Sequence, residues 1–266
     1  MPDITVIGKY WPGNSPLHRM DPRAKMLGAL AVMLIVFCAQ SFIGLGASAV
    51  FILVFIFLAQ IPLGRALRSI VPLLFIVFIT ALLNIFFIQS GSILFEWGFL
   101  VISEGGLYQA AFIGTRLILL LFAMSLLTLT TTAIDITDAF EYFLKPFARI
   151  GVPAHELSMI MGIALRFLPQ FISEFQTIYR AQISRGAQLS ASPFKGGLRI
   201  VSSLIVPLFT SAFRHAETLS FAMDARCYHG GDGRSRLSPL CYSALDRNAI
   251  FVLLAMLALV IATNFI

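Results

Sequence analysis

Residues able to do chemistry are sparse in this chain. Asp135 and Asp138 form a D-x-x-D pair, a spacing that can hold a divalent cation against a pyrophosphate. At the exit of an apolar run the same carboxylates can serve as helix caps, which needs no ligand. His18, His155, His215 and His229 are scattered rather than spaced as ligands. Cys38, Cys227 and Cys241 show no C-x-x-C spacing, so neither a disulfide framework nor a metal site is indicated. No G-x-x-x-x-G-K-[ST] loop occurs, so the chain is not expected to hydrolyse ATP itself. H-E-x-x-H and G-x-S-x-G are also absent, removing the usual signatures of zinc and serine hydrolases.

Two stretches remain. "AQISRGAQLS" at 181–190 and "SFAMDARCYHG" at 220–230 each set one arginine among small residues where a long helical pattern runs out. Arg185 and Arg226 admit two roles. A cation in a last turn complements the helix dipole, and a nearby glycine supplies a left-handed cap. Alternatively each helix end docks a partner, with the planar guanidinium making several directed hydrogen bonds. Arg116, inside an apolar run, is expensive in lipid and marks either a functional site or a tilted helix or contact with a protein partner.

The elements that carry these residues are hydrophobic. Of 266 residues 58% are apolar and only 12% charged, about half the charged share of a soluble domain. Twenty-five phenylalanines and a mean hydropathy of +0.89 point to helices in lipid rather than an alternating barrel. Five runs approach the roughly 20 residues a span requires: 26–42, 44–60, 70–88, 107–130 and 249–266. The polar, aromatic-containing segment before the first run has no cleavage site, and that run is expected to be a retained span.

Loop charge orients the spans. Lys9, Arg19, Arg23 and Lys25 precede the first run, and Arg65 and Arg68 fall between the second and third. The turn at 43 and the loop 89–106 hold no Lys or Arg. A cytoplasmic N-terminus and an external C-terminus therefore satisfy the positive-inside rule. That rule also accounts for the net charge of +6 without nucleic acid as a partner.

Residues 131–248 hold twelve of the nineteen Lys and Arg residues but are too apolar for a free domain. "TAIDITDAFEYFLKPFARI" reads as a short amphipathic helix capped by Asp138, with Pro146 and Gly151 marking its end. A long pattern follows from Pro153 to about Gln188, interrupted by Pro169. Ile160, Ala164, Phe167, Phe171, Phe175 and Ile178 form its apolar stripe. After the breaker "SASPFKGG" a second pattern runs from about 197 to 228, and Pro207 is placed to kink it. Arg166, Glu174, Arg214 and Glu217 either hold the two long helices together or lie on solvated faces. Ala212 and Ala216 have a spacing that permits close helix crossing. The basic loop "YHGGDGRSRLSP" leads back to the last run.

"HRMDPRAKML", "VPAHELSMIMGIALRFLPQFISEFQTIYRAQISRGAQ" and "PLFTSAFRHAETLSFAMDARCYHGG" together resemble the transmembrane (T) component of energy-coupling factor (ECF) transporters. That family carries two Ala-Arg-Gly signatures at the ends of long coupling helices. They correspond to Ser184-Arg185-Gly186 and Ala225-Arg226-Cys227, with Ser in place of the first Ala and Cys in place of the second Gly. The resemblance implies an all-α polytopic membrane protein and a non-catalytic scaffold in a bacterial or archaeal cell membrane. Residues 1–130 would form a four-span region, 131–248 a cytoplasmic coupling-helix region and 249–266 a last span. Two ATP-binding-cassette ATPases would bind at the arginine ends and carry the ATP and Mg²⁺, leaving this chain without a cofactor. A small membrane-embedded S component would bring a vitamin or other micronutrient. The rival expectation is a membrane enzyme acting on a lipid or isoprenoid phosphate through Asp135, Asp138, histidine and Mg²⁺.

Overall fold

A computed structural model describes residues 10–88, 90–97, 100–186, 197–230 and 240–264. The breaker at 190–196, the basic stretch 231–239 and Lys9 lie outside the described residues. The chain divides into two compact units, residues 1–139 with 238–266 and residues 140–237.

The first unit is a helical bundle: α1 (Pro22–Cys38), α2 (Phe42–Leu58), α3 (Leu63–Phe87), α4 (Glu104–Thr130), the first half of α5 (Ala133–Leu144) and the last helix, α8 (Ala244–Asn264). The helices α3, α4 and α8 are long and apolar enough to cross a membrane, and α2 is a shorter apolar helix. Its core, with Val36, Ala39, Leu45, Ile52, Leu119, Met256 and Val260, is drawn from α1, α2, α4, α8 and the residue closing α1. Outward faces are as apolar as the core, with Phe57 85% and Phe75 68% exposed, which only lipid or protein can cover. The chain is a multi-pass membrane protein.

Helix α1 starts where Asp21 accepts from the Arg23 N–H at 2.9 Å, with Pro22 in the first turn, where its missing donor costs nothing. Helix α3 begins earlier than its apolar run, at Leu63, and takes Arg65 and Arg68 into its first two turns. The segment expected to be a plain loop contains an antiparallel hairpin, β1 (Ile93–Trp97) with β2 (Leu100–Ser103), pairing Ile93 with Ser103 and Trp97 with Leu100. Its β-branched and aromatic residues suit a pleated ladder, but the run is too short for a clear alternating signal. At the foot of α4, a Cβ on Gly106 would lie 2.6 Å from the Ile88 carbonyl oxygen, so glycine lets the end of α3 close on α4.

The starts and ends of α1 and α8 lie together. Asp246, in the first turn of α8, accepts from the Asp21 N–H at 3.0 Å. At the other end Asn264 donates to the Cys38 carbonyl at 2.9 Å and accepts from the Gln40 N–H at 3.0 Å. The first and last helices are therefore parallel. Helix α4 runs against α1, since Lys25 donates to the Thr130 carbonyl at 3.2 Å.

In the second unit, the remainder of α5 passes into a 3-10 turn (Lys145–Ile150) that Gly151 closes at φ +91°. Then come α6 (Ala154–Ser184), unbroken through Pro169, and α7 (Gly197–Ala225), which contains Pro207. The cap of α5 is not Asp138. Asp135 accepts from the Thr132 N–H at 3.3 Å while its own N–H donates to the Thr132 hydroxyl at 3.2 Å. This reciprocal capping box moves the helix start six residues upstream of Asp138.

Candidate functional site: two capped arginine ends and the crossing between them

Both arginine ends place a left-handed residue directly after the arginine. Helix α6 ends at Ser184; the Arg185 N–H donates to the carbonyls of Ala181 (3.1 Å) and Gln182 (3.2 Å). Gly186 then takes φ +84° and donates to the Ile183 carbonyl at 2.9 Å. Helix α7 ends at Ala225; Cys227 takes φ +54° and donates to Asp224 at 2.9 Å, and Tyr228 reaches back to Met223 at 3.1 Å. Those last two bonds are a complete Schellman cap, with Arg226 the residue before the left-handed position. Arg185 occupies the corresponding position before Gly186. Cysteine accepts the left-handed conformation at a cost of roughly 1–2 kcal/mol that glycine avoids. Ser184, Arg185, Gly186, Ala225, Arg226 and Cys227 are all exposed. The cap and docking roles are therefore compatible: the backbone makes the cap and the arginine side chains are left at the surface.

What holds α6 to α7 is a polar crossing. Glu174 accepts from His215 Nε2 at 2.5 Å on one oxygen and from the Ser211 hydroxyl at 2.8 Å on the other. The Gln170 amide lies 3.0 Å from His215 Nε2, and the His215 ring stacks at 6.0 Å on Phe167 with Phe171 beside it. The His215 hydrogen bond, followed by those from Ser211 and Gln170, holds the Glu174 carboxyl below its ordinary value, against the opposing effect of desolvation. Further along, the Gln182 amide donates to the Ser203 carbonyl at 3.2 Å. Position 170 thus meets 215, 174 meets 211 and 182 meets 203. Each step forward on α6 is matched by an equal step back on α7, so the pair is antiparallel.

Of the four polar residues expected at this crossing, Glu174 lies in it. Arg166, Arg214 and Glu217 are exposed, and among the described residues none bonds across to the other long helix. Sequence reasoning did not place Ser211, His215 and Gln182 at the crossing, because their partners lie between 21 and 45 residues away. One signal was present: Pro207 has no N–H for the carbonyl four residues before it, which is Ser203.

In the first unit the carboxylates and cations do structural work. Asp246 is 2% exposed and accepts from the Asp21 N–H, the Ser243 N–H (2.6 Å) and the Ser243 hydroxyl (3.0 Å). Lys25, also buried, donates to the carbonyls of His18 (2.9 Å) and Thr130, so a cation sits at the carbonyl end of α4. Arg116 donates to the Ala39 carbonyl at the end of α1, with its guanidinium 4.7 Å from the Phe112 ring centroid. It meets the dipole end of a neighbouring helix of its own bundle, an intramolecular contact that the sequence expectations did not include. With Asp135 engaged in its cap, no group of three or more His, Cys, Asp or Glu that could hold a metal occurs among the described residues.

The first unit is an apolar multi-pass bundle of the kind that lies in a membrane, and the second is a pair of crossed amphipathic helices ending in exposed cations. Comparison with known proteins is specific. The family model described as "Cobalt transport protein" (CbiQ) matches residues 13–237. The energy-coupling factor transporter transmembrane protein EcfT of Thermosediminibacter oceani is 45% identical over 97% of this chain and 96% of its own length. The EcfT proteins of Acidaminococcus fermentans (43%; 97% of this chain and 95% of their length) and Bacillus subtilis (39%; 97% and 98%) match equally broadly. The chain belongs to the CbiQ/EcfT family, the non-catalytic transmembrane component of energy-coupling factor transporters.

Proposed function

We propose that this chain transmits the conformational work of two ATP-binding-cassette ATPases to a small substrate-binding S component, in an importer for a vitamin or other micronutrient. The observation that carries the reading is the pair of exposed arginines, each directly before a left-handed cap residue, on an antiparallel helix pair. Arg185 engages one ATPase and Arg226 the other, through directed hydrogen bonds to carboxylate or carbonyl acceptors. Ser184, Gly186, Ala225 and Cys227 are small enough to let each helix end enter a groove. ATP and Mg²⁺ are bound by the ATPases. The S component covers exposed apolar surface such as Phe75 and Phe78 on α3 or Phe209 and Phe213 on α7. Substrate identity resides in that component.

The N-terminus is cytoplasmic and the C-terminus external. Loop charge supports this through the positive-inside rule. The parallel course of α1 and α8 supports the part of this reading that puts the two termini on opposite sides.

Co-expression with the ATPases and co-purification in detergent tests the reading. Arg185→Ala and Arg226→Ala should each weaken association by about 5- to 150-fold, the worth of one charge-assisted contact. The double variant should lose the ATPases. Undiminished co-elution of the double variant, or a wild-type chain that purifies alone beside folded ATPases, would overturn it.

A further inference from the structure

A groove of about 690 Å³ runs along the seam between α1 and α8 in the first unit, with residues of α2 and α4 completing its walls. Ala24, Gly28 and Ala31 of α1 and Ala249 of α8 line it, so the two helices leave space where longer side chains would close it. Leu34 and Leu254, also in its walls, are 58% and 55% exposed, so the groove opens on the outward apolar surface. From Lys25 to Cys38 it extends about 20 Å at 1.5 Å per residue. That exceeds half of a hydrocarbon core roughly 30 Å thick, the share of one leaflet.

One end of the groove is basic. Lys25 lies there, and the Arg23 guanidinium stands 5.7 Å from the ring centroid of Tyr242, which lines the same end. Arg23 precedes Leu27 by one turn of α1, and Arg247 precedes Ile250 by one turn of α8, so each arginine stands on the groove-lining row of its helix. The carboxylates at this end, Asp21 and Asp246, are buried and act as caps, which leaves the charge that reaches the surface cationic. We propose that the groove binds an acyl chain of an anionic phospholipid, taken from the leaflet that borders the starts of α1 and α8, with the headgroup phosphate against Arg23 and Arg247. Walls without donors or acceptors give water no partners, so hydrocarbon fills them. The cations then select the headgroup, by about fivefold in affinity for each one near the membrane surface. Tyr242, 59% exposed, places its ring where interfacial aromatic residues collect. The lipid touches α1 and α8 together and adds apolar contact to their polar ties at Asp246 and Asn264. Binding here involves the first unit alone and does not depend on the coupling role of Arg185 and Arg226.

Quenching by nitroxide-labelled lipids in nanodiscs tests it. The full chain, with Cys38, Cys227 and Cys241 replaced by alanine, carries a fluorophore either at Ile250→Cys in the groove or at Phe251→Cys, a 63% exposed position outside it. Phosphatidylglycerol and phosphatidylcholine, each with the nitroxide on an acyl chain, are compared. At Ile250→Cys, phosphatidylglycerol should quench at a mole fraction about 5- to 25-fold lower than phosphatidylcholine, with no such preference at Phe251→Cys. Arg23→Gln and Arg247→Gln should each reduce the preference about fivefold. Ala31→Leu narrows the groove and should weaken quenching by both lipids at Ile250→Cys only. An equal preference at both positions, or none at Ile250→Cys, overturns the site and leaves ordinary boundary lipid. A preference that survives both arginine variants overturns it as well. Protection of Ile250→Cys from both lipids means that protein covers the groove, a second copy if seen in the chain alone and a partner subunit if seen only in the complete transporter. Either result overturns lipid as the occupant.

Discussion

Removing the Asp246 carboxylate is the sharpest test of how the bundle is assembled. Asp246→Ala deletes the acceptor of three donors: the Asp21 N–H, the Ser243 N–H and the Ser243 hydroxyl. Ser243 is half-buried, and its donors can turn to water. The Asp21 residue is 5% exposed, so its N–H is stranded, at a cost of about 1–3 kcal/mol. Loss of the cap-type contact between Asp246 and Ser243 adds about 1 kcal/mol. The total, about 2–4 kcal/mol, corresponds to a fall in thermal midpoint of roughly 5–15 °C for a chain of this size. Asp246→Asn keeps one carbonyl oxygen but turns an NH₂ toward a donor, and should fall between alanine and wild type. Thermal unfolding in detergent, followed by size exclusion of the soluble fraction, measures the order. If alanine and asparagine variants both unfold with the wild type, the polar tie between α1 and α8 does not hold the last helix and the reasoning fails.

Two further predictions concern the long helices. Cys227→Gly relieves a left-handed residue, while Gly186→Ala imposes one; amide exchange near each cap should slow about fivefold in the first and quicken about fivefold in the second, for about 1 kcal/mol apiece. Equal exchange in Cys227→Gly and wild type would refute the strained cap. Glu174 has a carboxyl held below its ordinary value of 4.5, so its bonds to His215 and Ser211 favour the folded crossing at neutral pH. That contribution is complete above the unfolded value and is lost as pH falls from there through the lowered folded value. The separation of α6 and α7, read between spin labels at Tyr179→Cys and Val206→Cys, should therefore respond to acid only below about pH 4.5, and the response should vanish in Glu174→Gln. A transition near neutrality that survives in Glu174→Gln would contradict this assignment.

The long elements were legible because periodicity over some thirty residues is a strong signal. The patterns starting at Pro153 and at 197 became α6 and α7 within about four residues at each end, and "SRG" correctly located a left-handed cap. Cys227 shows why residue type alone leaves the second cap uncertain: local backbone hydrogen bonds hold a non-glycine residue at φ +54°. The capping box of α5 was misplaced because Thr132 and Asp135 satisfy the same rule as Asp138 and Glu141, and only the backbone chooses between them. The crossing was least legible. Glu174 has the same sequence appearance as Arg166, and only an antiparallel register that sets 174 against 211 separates a bonded residue from an exposed one. The stretch "HRMDPRAKML" carried the family resemblance without disclosing its cause. Asp21 and Lys25 tie α1 to α8 and α4, and those partners are 225 and 105 residues distant.

Two arginine signatures on one chain could serve one partner or two, and the antiparallel pairing decides which is feasible. Had α6 and α7 run parallel, their capped ends would lie side by side, and one groove could take both. Instead α6 beyond Glu174 and α7 beyond Ser211 leave the crossing in opposite directions, and Arg185 and Arg226 stand on the order of 40 Å apart at 1.5 Å per residue. A standard interface buries about 800 Å² on each partner, a patch too small to include both ends. On the proposed coupling reading each end would carry its own contact, and two similar helix ends would suit two similar grooves. A change in the distance between two such partners would act on both helices about one crossing, and the polar groups at that crossing would govern how far the motion is passed on.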